Sequence, residues 1–222
     1  MQTIDIFHAN TLNPKGIELL AKDLSQITEA HYPQLRKISP EKFQELIEAH
    51  KVLVAQTRGE VFQTIAGMIR YECRGGGYAE IGGVWRKPGH QSADILMEEM
   101  LGLLKAKDLK PLLITRFPDN FGMIRLAMKH GFIPVKPKDF KTDSPEFAAA
   151  VKACVVKDKE DDANPRNRIL MLKPDTTEAI AAGELFVKHL EKVRQLCREA
   201  TAHIGNFPNL KPSPADSSQS LV

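Results

Sequence analysis

The chain reads as an α/β (α+β) fold on three observations: two amphipathic helices follow a short first strand, three strands joined by glycine-bearing turns come next, and strands then alternate with helices. At 222 residues, 42% of them hydrophobic, the chain supplies one sizeable core rather than two. One domain with an appendage is therefore expected.

Thr3 to Phe7 alternates as a strand does, with Ile4 and Ile6 on one side and Asp5 on the other. From Pro14 to Ala30, Ile17, Leu20, Leu24 and Ile27 recur at helical spacing, opposite Glu18, Lys22 and Asp23. Ser39-Pro40-Glu41 opens a second helix, with Ser39 as its N-cap and Pro40 at the first helical position, and Phe43, Leu46, Ile47 and His50 line one face.

From Lys51 the pattern turns to strands. Val52 and Val54 belong to one, Val61 to Glu72 forms a second after the turn at Arg58-Gly59, and Tyr78 to Trp85 forms a third after Arg74-Gly75-Gly76-Gly77. A loop from Arg86 leads into a helix whose Leu96, Met100, Leu103 and Leu104 share a face. Pro111 to Arg116 is a short, nearly all-apolar strand suited to the middle of a sheet. Asp119-Asn120 introduces a helix over Phe121 to His130, which Gly131 stops, and Phe132 to Val135 begins the next strand.

Ser144-Pro145-Glu146 starts a helix through Val155, Lys157 to Arg168 has the charge pattern of a solvated loop, and Ile169 to Lys173 is the final strand. The domain is expected to span residues 1–174. Asp175 and Glu178 form a capping box for an amphipathic helix over 175–205, with Phe186, Leu190, Val193, Cys197 and Ala200 on one face. Residues 206–222, rich in Pro and Ser, are expected to be a disordered tail. The apolar face of the C-terminal helix needs cover, from its own domain or from a second copy in a homodimer.

Composition excludes some classes of function. No apolar run reaches the roughly 18 to 20 residues of a membrane helix, and Asp5, His8 and Asn10 interrupt the start, unlike a secretory signal. Cys73, Cys154 and Cys197 are odd in number and widely spaced, so neither a disulfide framework nor a metal site is expected, and a reducing cytoplasm is the economical location. A net charge of +3, from 31 basic and 28 acidic residues, is too balanced for an electrostatic grip on nucleic acid.

The strand from Tyr78, the loop from Arg86 to Asp94 and the following helix form the most informative stretch. A helix N-terminus presents unpaired amide donors and a positive dipole end, so such a turn can hold a phosphate. Taken alone the turn is also an ordinary connection whose amides meet water.

A second segment narrows the reading. Asn120-Phe121-Gly122-Met123-Ile124-Arg125-Leu126-Ala127-Met128-Lys129-His130-Gly131-Phe132 resembles the segment N-x-x-A-I-x-L-Y-x-K-x-G-F of the GNAT acyltransferases, matching at Asn120, Ile124, Leu126, Lys129, Gly131 and Phe132. The order of elements over Thr3 to Pro174 fits as well. The resemblance implies a mixed central sheet flanked by helices, acetyl-CoA or another short acyl-CoA as co-substrate, no metal, and a small-molecule or protein amine as acceptor. It implies an acyl-CoA lying against the backbone of Val84, Trp85 and Arg86, with Asn120 and Lys129 near the cofactor.

The family's phosphate loop, Q/R-x-x-G-x-G/A, falls on Gln91, Ser92, Ala93, Asp94, Ile95 and Leu96. Gln91 fits, whereas Asp94 and Leu96 stand where glycine or alanine is usual. A carboxylate beside a diphosphate is unfavourable unless it is turned away or neutralised, and Arg86, Lys87 or His90 are within reach in sequence. As an ordinary helix-start acid, Asp94 is equally natural.

An attacking amine must lose a proton, and a carboxylate or a water it orders serves as base. Glu80 is the first candidate and Glu72 the second, against the plainer reading that both are solvent-facing strand residues. The family's Tyr, which protonates the departing thiolate, corresponds to Ala127. His130, before the stop glycine, suits helix capping better than catalysis. The expected function is an N-acetyltransferase acting by direct attack. The alternative is a weakly active or inactive CoA-binding or protein-interaction module that kept the fold.

Overall fold

The computed structural model describes residues 4–32, 35–57, 64–116, 120–135 and 168–173, with single helical positions at Pro145, Ala149, Lys188, Glu191, Lys192, Gln195 and Glu199. The expectations for the tail, and for most of 136–167 and 174–205, lie outside the described residues.

Strand β1 (Ile4–His8) leads through a 3-10 turn at Ala9–Thr11 into α1 (Pro14–Ala30) and α2 (Pro40–Glu48). Both helices start as proline-led helices should, with a polar N-cap outside the first turn. Asn13 Oδ1 accepts from the Gly16 amide at 2.8 Å and Ser39 Oγ from the Lys42 amide at 3.3 Å. α2 ends two residues earlier than the apolar pattern suggested. His50 is exposed at φ 57, its ring 3.4 Å from Asn10 Nδ2, rather than on the buried face of Phe43, Leu46 and Ile47.

Next come β2 (Val52–Thr57), β3 (Ile65–Gly75), β4 (Tyr78–Arg86), α3 (Ser92–Ala106), β5 (Lys110–Arg116), α4 (Phe121–Lys129), β6 (Ile133–Val135) and β7 (Arg168–Leu172). They form one seven-stranded mixed sheet in the order β1-β2-β3-β4-β5-β7-β6, in which only β4 and β5 run parallel. α3 is the crossover between them, as a parallel pair requires.

Two cores lie on the two sides of the sheet. Leu24, Phe43, Ile47, Val54 and Met68 close the side covered by α1 and α2, while Ile69, Ile81, Leu96, Met100, Ile124 and Ala127 close the side covered by α3 and α4. Strand alternation sorts the residues: Met68 and Ile69 are neighbours in β3 and belong to opposite cores.

Two irregularities position everything that follows. The β4–β5 ladder runs only from Tyr78 and Lys110 to Ile81 and Leu113, after which β4 continues to Arg86 and β5 to Arg116 without pairing to each other. At that point β4 carries an extra residue: Arg70 pairs with Gly82, and Met68 already with Trp85. Gly83, at φ 59, takes the left-handed conformation that such a bulge needs. The bulge resets the alternation, so Val84 joins Ile81 on the α3 side and Trp85 reaches the α1 side.

Candidate active site

Where β4 leaves β5, a cleft of about 720 Å³ opens between the end of β4, the start of α3 and one flank of α4. β4 contributes Val84, Trp85 and Arg86, and the loop and first turn of α3 contribute His90, Gln91, Ala93 and Asp94. α4 contributes Asn120, Gly122, Met123, Leu126 and Lys129. Eight of the residues singled out from the sequence thus share one cleft: Val84, Trp85, Arg86, Gln91, Ala93, Asp94, Asn120 and Lys129.

The others stand behind it or outside. Ser92 is fully buried and its hydroxyl donates to the Ala66 carbonyl at 2.7 Å, tying the start of α3 to β3. Leu96 is a core residue, and Ile95 is exposed on the outer side of α3. This approach of helix to strand requires Gly67, because a Cβ there would lie 2.5 Å from Ser92 Oγ, 2.9 Å from Leu96 Cδ1 and 3.0 Å from the Trp85 carbonyl.

The mouth of α3 is open. Its N-cap, Gln91, makes no side-chain capping bond, so no side-chain cap closes the amides of the first turn, whose Ala93 and Asp94 line the cleft. Arg86 Nη1 donates to the His90 carbonyl at 3.0 Å and braces the loop, while Gly89 turns the chain at φ 85. Trp85 packs its ring against His31, at the end of α1, with centroids 5.6 Å apart.

Asp94 finds its partners on α4, not in its own loop. Lys129 Nζ donates to Oδ2, and His130 Nε2 lies 2.8 Å from Oδ1. The Lys129 bond first, and the His130 bond second, hold the Asp94 carboxyl below its ordinary range. The expected compensation from Arg86, Lys87 or His90 is thus replaced by two residues some 35 positions away in sequence. His130 is the C-cap of α4 and Gly131 follows at φ 83, in keeping with the capping role read from the sequence.

Glu80 and Glu72 do not line the cleft. They face each other across the β3–β4 ladder, an arrangement that would be repulsive without cations. Arg74 binds Glu80 Oε2 through Nε at 2.6 Å and also through Nη2, and its Nη1 lies 3.5 Å from Glu72 Oε2. Arg70 Nη1 holds Glu72 Oε1. The result is an alternating charge row on the sheet face that carries Met68, with the Glu80 side chain 15% exposed. Arg70 was not foreseen as part of the site. It lies over the bulge, within 3.1 Å of where a Cβ of Gly83 would be.

Ala127 is fully buried in the α3-side core, away from the cleft-lining residues of α4. Among the described residues no helix is long and apolar enough to cross a membrane.

No family model matches the sequence, and no curated protein matches it. Solved structures do. A protein of Mycobacterium tuberculosis, crystallised in complex with CoA, is 14% identical over 77% of this chain and 99% of its own, with a TM-score of 0.56. An acetyltransferase of Streptococcus agalactiae is 14% identical over 78% of this chain and 99% of its own, with a TM-score of 0.50. A GNAT-family acetyltransferase of Staphylococcus aureus is similar over 76% of this chain and 98% of its own, at 14% identity and a TM-score of 0.47. The sheet order, the diverging parallel pair and the likeness to the first two of these structures agree on one architecture: the chain has the fold of the Mycobacterium tuberculosis protein and of the Streptococcus agalactiae acetyltransferase, the mixed sheet flanked by helices expected from the sequence.

Proposed function

We propose that this protein is an acyl-CoA-dependent N-acyltransferase that moves an acetyl or similar short acyl group to a primary amine by direct attack. The observation that carries the reading is the parting of β4 from β5 immediately beside the uncapped start of α3. Beyond Ile81 the strand edge that faced β5 carries backbone donors and acceptors without a ladder partner there. A pantetheine chain, which carries two amides, satisfies them as an added strand would. The cleft volume lies within the usual range for small-molecule sites, about 300–1,000 Å³.

In this reading Val84 to Arg86 hold the pantetheine arm through their backbone. The amides of the first turn of α3, with Gln91 and Ala93 beside them, take the diphosphate. Arg86 and Lys129 supply positive charge at the rim, beside His90, and Asn120 anchors the far side. Bound acyl-CoA supplies an acyl thioester, activated toward an amine. The α1 side of β4, with Trp85 and the charge row, is the approach for the acceptor. Glu80 and Glu72 are each already engaged by arginine, so the proton leaves the amine through a water oriented by one of these carboxylates rather than directly to it. The CoA held by the Mycobacterium tuberculosis protein supports the choice of co-substrate.

Ala127 favours a second reading, in which the protein binds CoA and turns over poorly. Titration calorimetry with acetyl-CoA, followed by thiol release with a panel of primary amines, separates the two. Binding with thiol release supports the transferase, binding without release for any amine supports the module, and no binding removes both.

A further inference from the structure

The Ala66 carbonyl, on β3, accepts two hydrogen bonds, one from each end of the loop that joins β4 to α3. The Lys87 amide donates to it at 2.9 Å, directly after β4, and the Ser92 hydroxyl donates to it at 2.7 Å from the first residue of α3. A backbone carbonyl has two lone pairs, so both are used. Ala66 and Ser92 are fully buried. Within the span, the His90 amide donates to the Lys87 carbonyl at 3.2 Å and Arg86 Nη1 to the His90 carbonyl at 3.0 Å. The loop is thus braced along its length and closed on one buried backbone atom of β3.

The two ends of this loop adjoin two different walls of the cleft. Val84, Trp85 and Arg86 come immediately before Lys87, and Ala93 and Asp94 come immediately after Ser92; all five line the cleft, whereas Ser92 itself does not. The Ser92 bond therefore acts on the site through its neighbours, by fixing where the first turn of α3 stands relative to the stretch of β4 that has left β5. Gly67 makes the room for it, since a Cβ there would lie 2.5 Å from Ser92 Oγ. Serine at 92 and glycine at 67 together set how closely the helix approaches the strands.

We propose that Ser92 is a positioning residue that holds the diphosphate half of the donor site in register with the pantetheine half. The inference rests on the acyl-CoA reading and assigns within it the residue that couples the two halves. CoA carries its pantetheine arm and its diphosphate on one covalent chain, so the second contact adds to affinity only where both can be made at once. A buried bond from the start of α3 to the strand beside β4 supplies that register before the ligand arrives. Removing the hydroxyl leaves the Ala66 carbonyl its bond from Lys87, so no buried acceptor is orphaned and the change acts on relative placement more than on the fold.

The test compares CoA with pantetheine, which has the arm and the thiol but no phosphate, by calorimetry on the full chain, with millimolar pantetheine followed as a competitor of CoA. Ser92→Ala should weaken CoA about 5- to 10-fold and leave the affinity for pantetheine unchanged, because pantetheine uses the β4 half alone. The melting temperature should fall by only about 2–4 °C, the shift that one lost hydrogen bond produces in a chain of this size. Ser92→Cys, which keeps a weaker donor at the same place, should lie between wild type and Ser92→Ala, and answers the same question if Ser92→Ala does not fold. Equal weakening of both ligands makes Ser92 a residue of general stability and overturns the assignment, as does unchanged affinity for CoA. Wild-type protein that binds CoA but from which pantetheine does not displace it refutes the strand-edge half of the site and this inference with it. Wild-type protein that binds no CoA removes the acyl-CoA reading itself, a result distinct from an equal loss in the variant.

Discussion

Asp94 and His130 stand 36 residues apart and meet at 2.8 Å, joining the first turn of α3 to the last turn of α4. The acid is at the positive end of one helix dipole, where a carboxylate is favoured, and the imidazole stands at the C-terminal end of the other helix. Lys129 completes the clasp from the same turn of α4.

Asp94→Ala should move binding and stability in opposite directions. Removing the carboxylate frees Lys129 for the ligand's phosphates and removes a like charge from the cleft, so CoA affinity should rise about 3- to 10-fold, on the order of 1 kcal/mol. Asp94 is 41% exposed, and loss of the clasp should therefore cost no more than about 0.5–1 kcal/mol of folding stability. Calorimetry and urea unfolding at constant salt measure the two effects. A loss of affinity would sink the assignment of the α3 turn as a phosphate site.

The acid limb of stability should carry the same signature. The clasp holds the Asp94 carboxyl below its ordinary value of 3.8, so its contribution is complete above that pH and fades as the pH falls through the lower, folded-state value. Urea midpoints of wild-type protein and Asp94→Asn should differ at pH 6 and converge toward pH 2 to 3. Curves that stay parallel throughout would show that the clasp adds nothing.

Gly67→Ala should be costly although it adds one methyl group. The Ser92 hydroxyl and a Leu96 methyl could shift, but the Trp85 carbonyl is backbone, and all three lie within 3.0 Å of the new Cβ. Overpacking of this kind costs about 1–3 kcal/mol. Because the strain falls where α3 meets β3 and β4, CoA affinity should drop along with the melting temperature.

The charge row predicts a rescue of stability. Glu80→Gln takes from the Arg74 guanidinium, 9% exposed, the nearer of its two carboxylates, with Glu72 Oε2 still 3.5 Å away, and should cost about 1–3 kcal/mol. Arg74→Met added to Glu80→Gln should restore much of that loss, since the pair is then removed together. Turnover with an amine should stay low in the double variant if Glu80 orients the proton-accepting water. Recovery of both stability and turnover would reduce Glu80 to a partner of Arg74.

Much of the frame was legible because it depends on local chemistry. The Asn13 and Ser39 ends of α1 and α2, the glycine turn before Tyr78 and the stop at Gly131 are each decided within a few residues. His50 was assigned to the buried face of α2 because it continues the apolar spacing, but the helix ends before it. The cleft was partly legible, since an unpaired backbone edge at Val84 to Arg86 leaves no side-chain signature, and only likeness to a family marked the strand. The Asp94 clasp was not legible, because its cations come from a helix that tertiary packing alone brings near. Arg70 was missed for a related reason: a charged residue in a strand looks ordinary until its place over the bulge and its bond to Glu72 are seen.

The bulge at Gly83 makes β4 a segment whose length matters more than its composition. Up to Ile81 it is an interior strand paired with β5, and from Val84 the edge that faced β5 has no ladder partner there; one extra residue separates the two stretches and decides which of Val84 and Trp85 meets each side. Substitutions there should act in graded fashion, whereas deleting one residue between Gly82 and Val84 should invert everything downstream, turning Trp85 into the α3-side core and Val84 away from it. Such a strand tolerates changes of spelling but not of count, and the spacing from Ile81 to Gln91 is the quantity to preserve when this chain is redesigned.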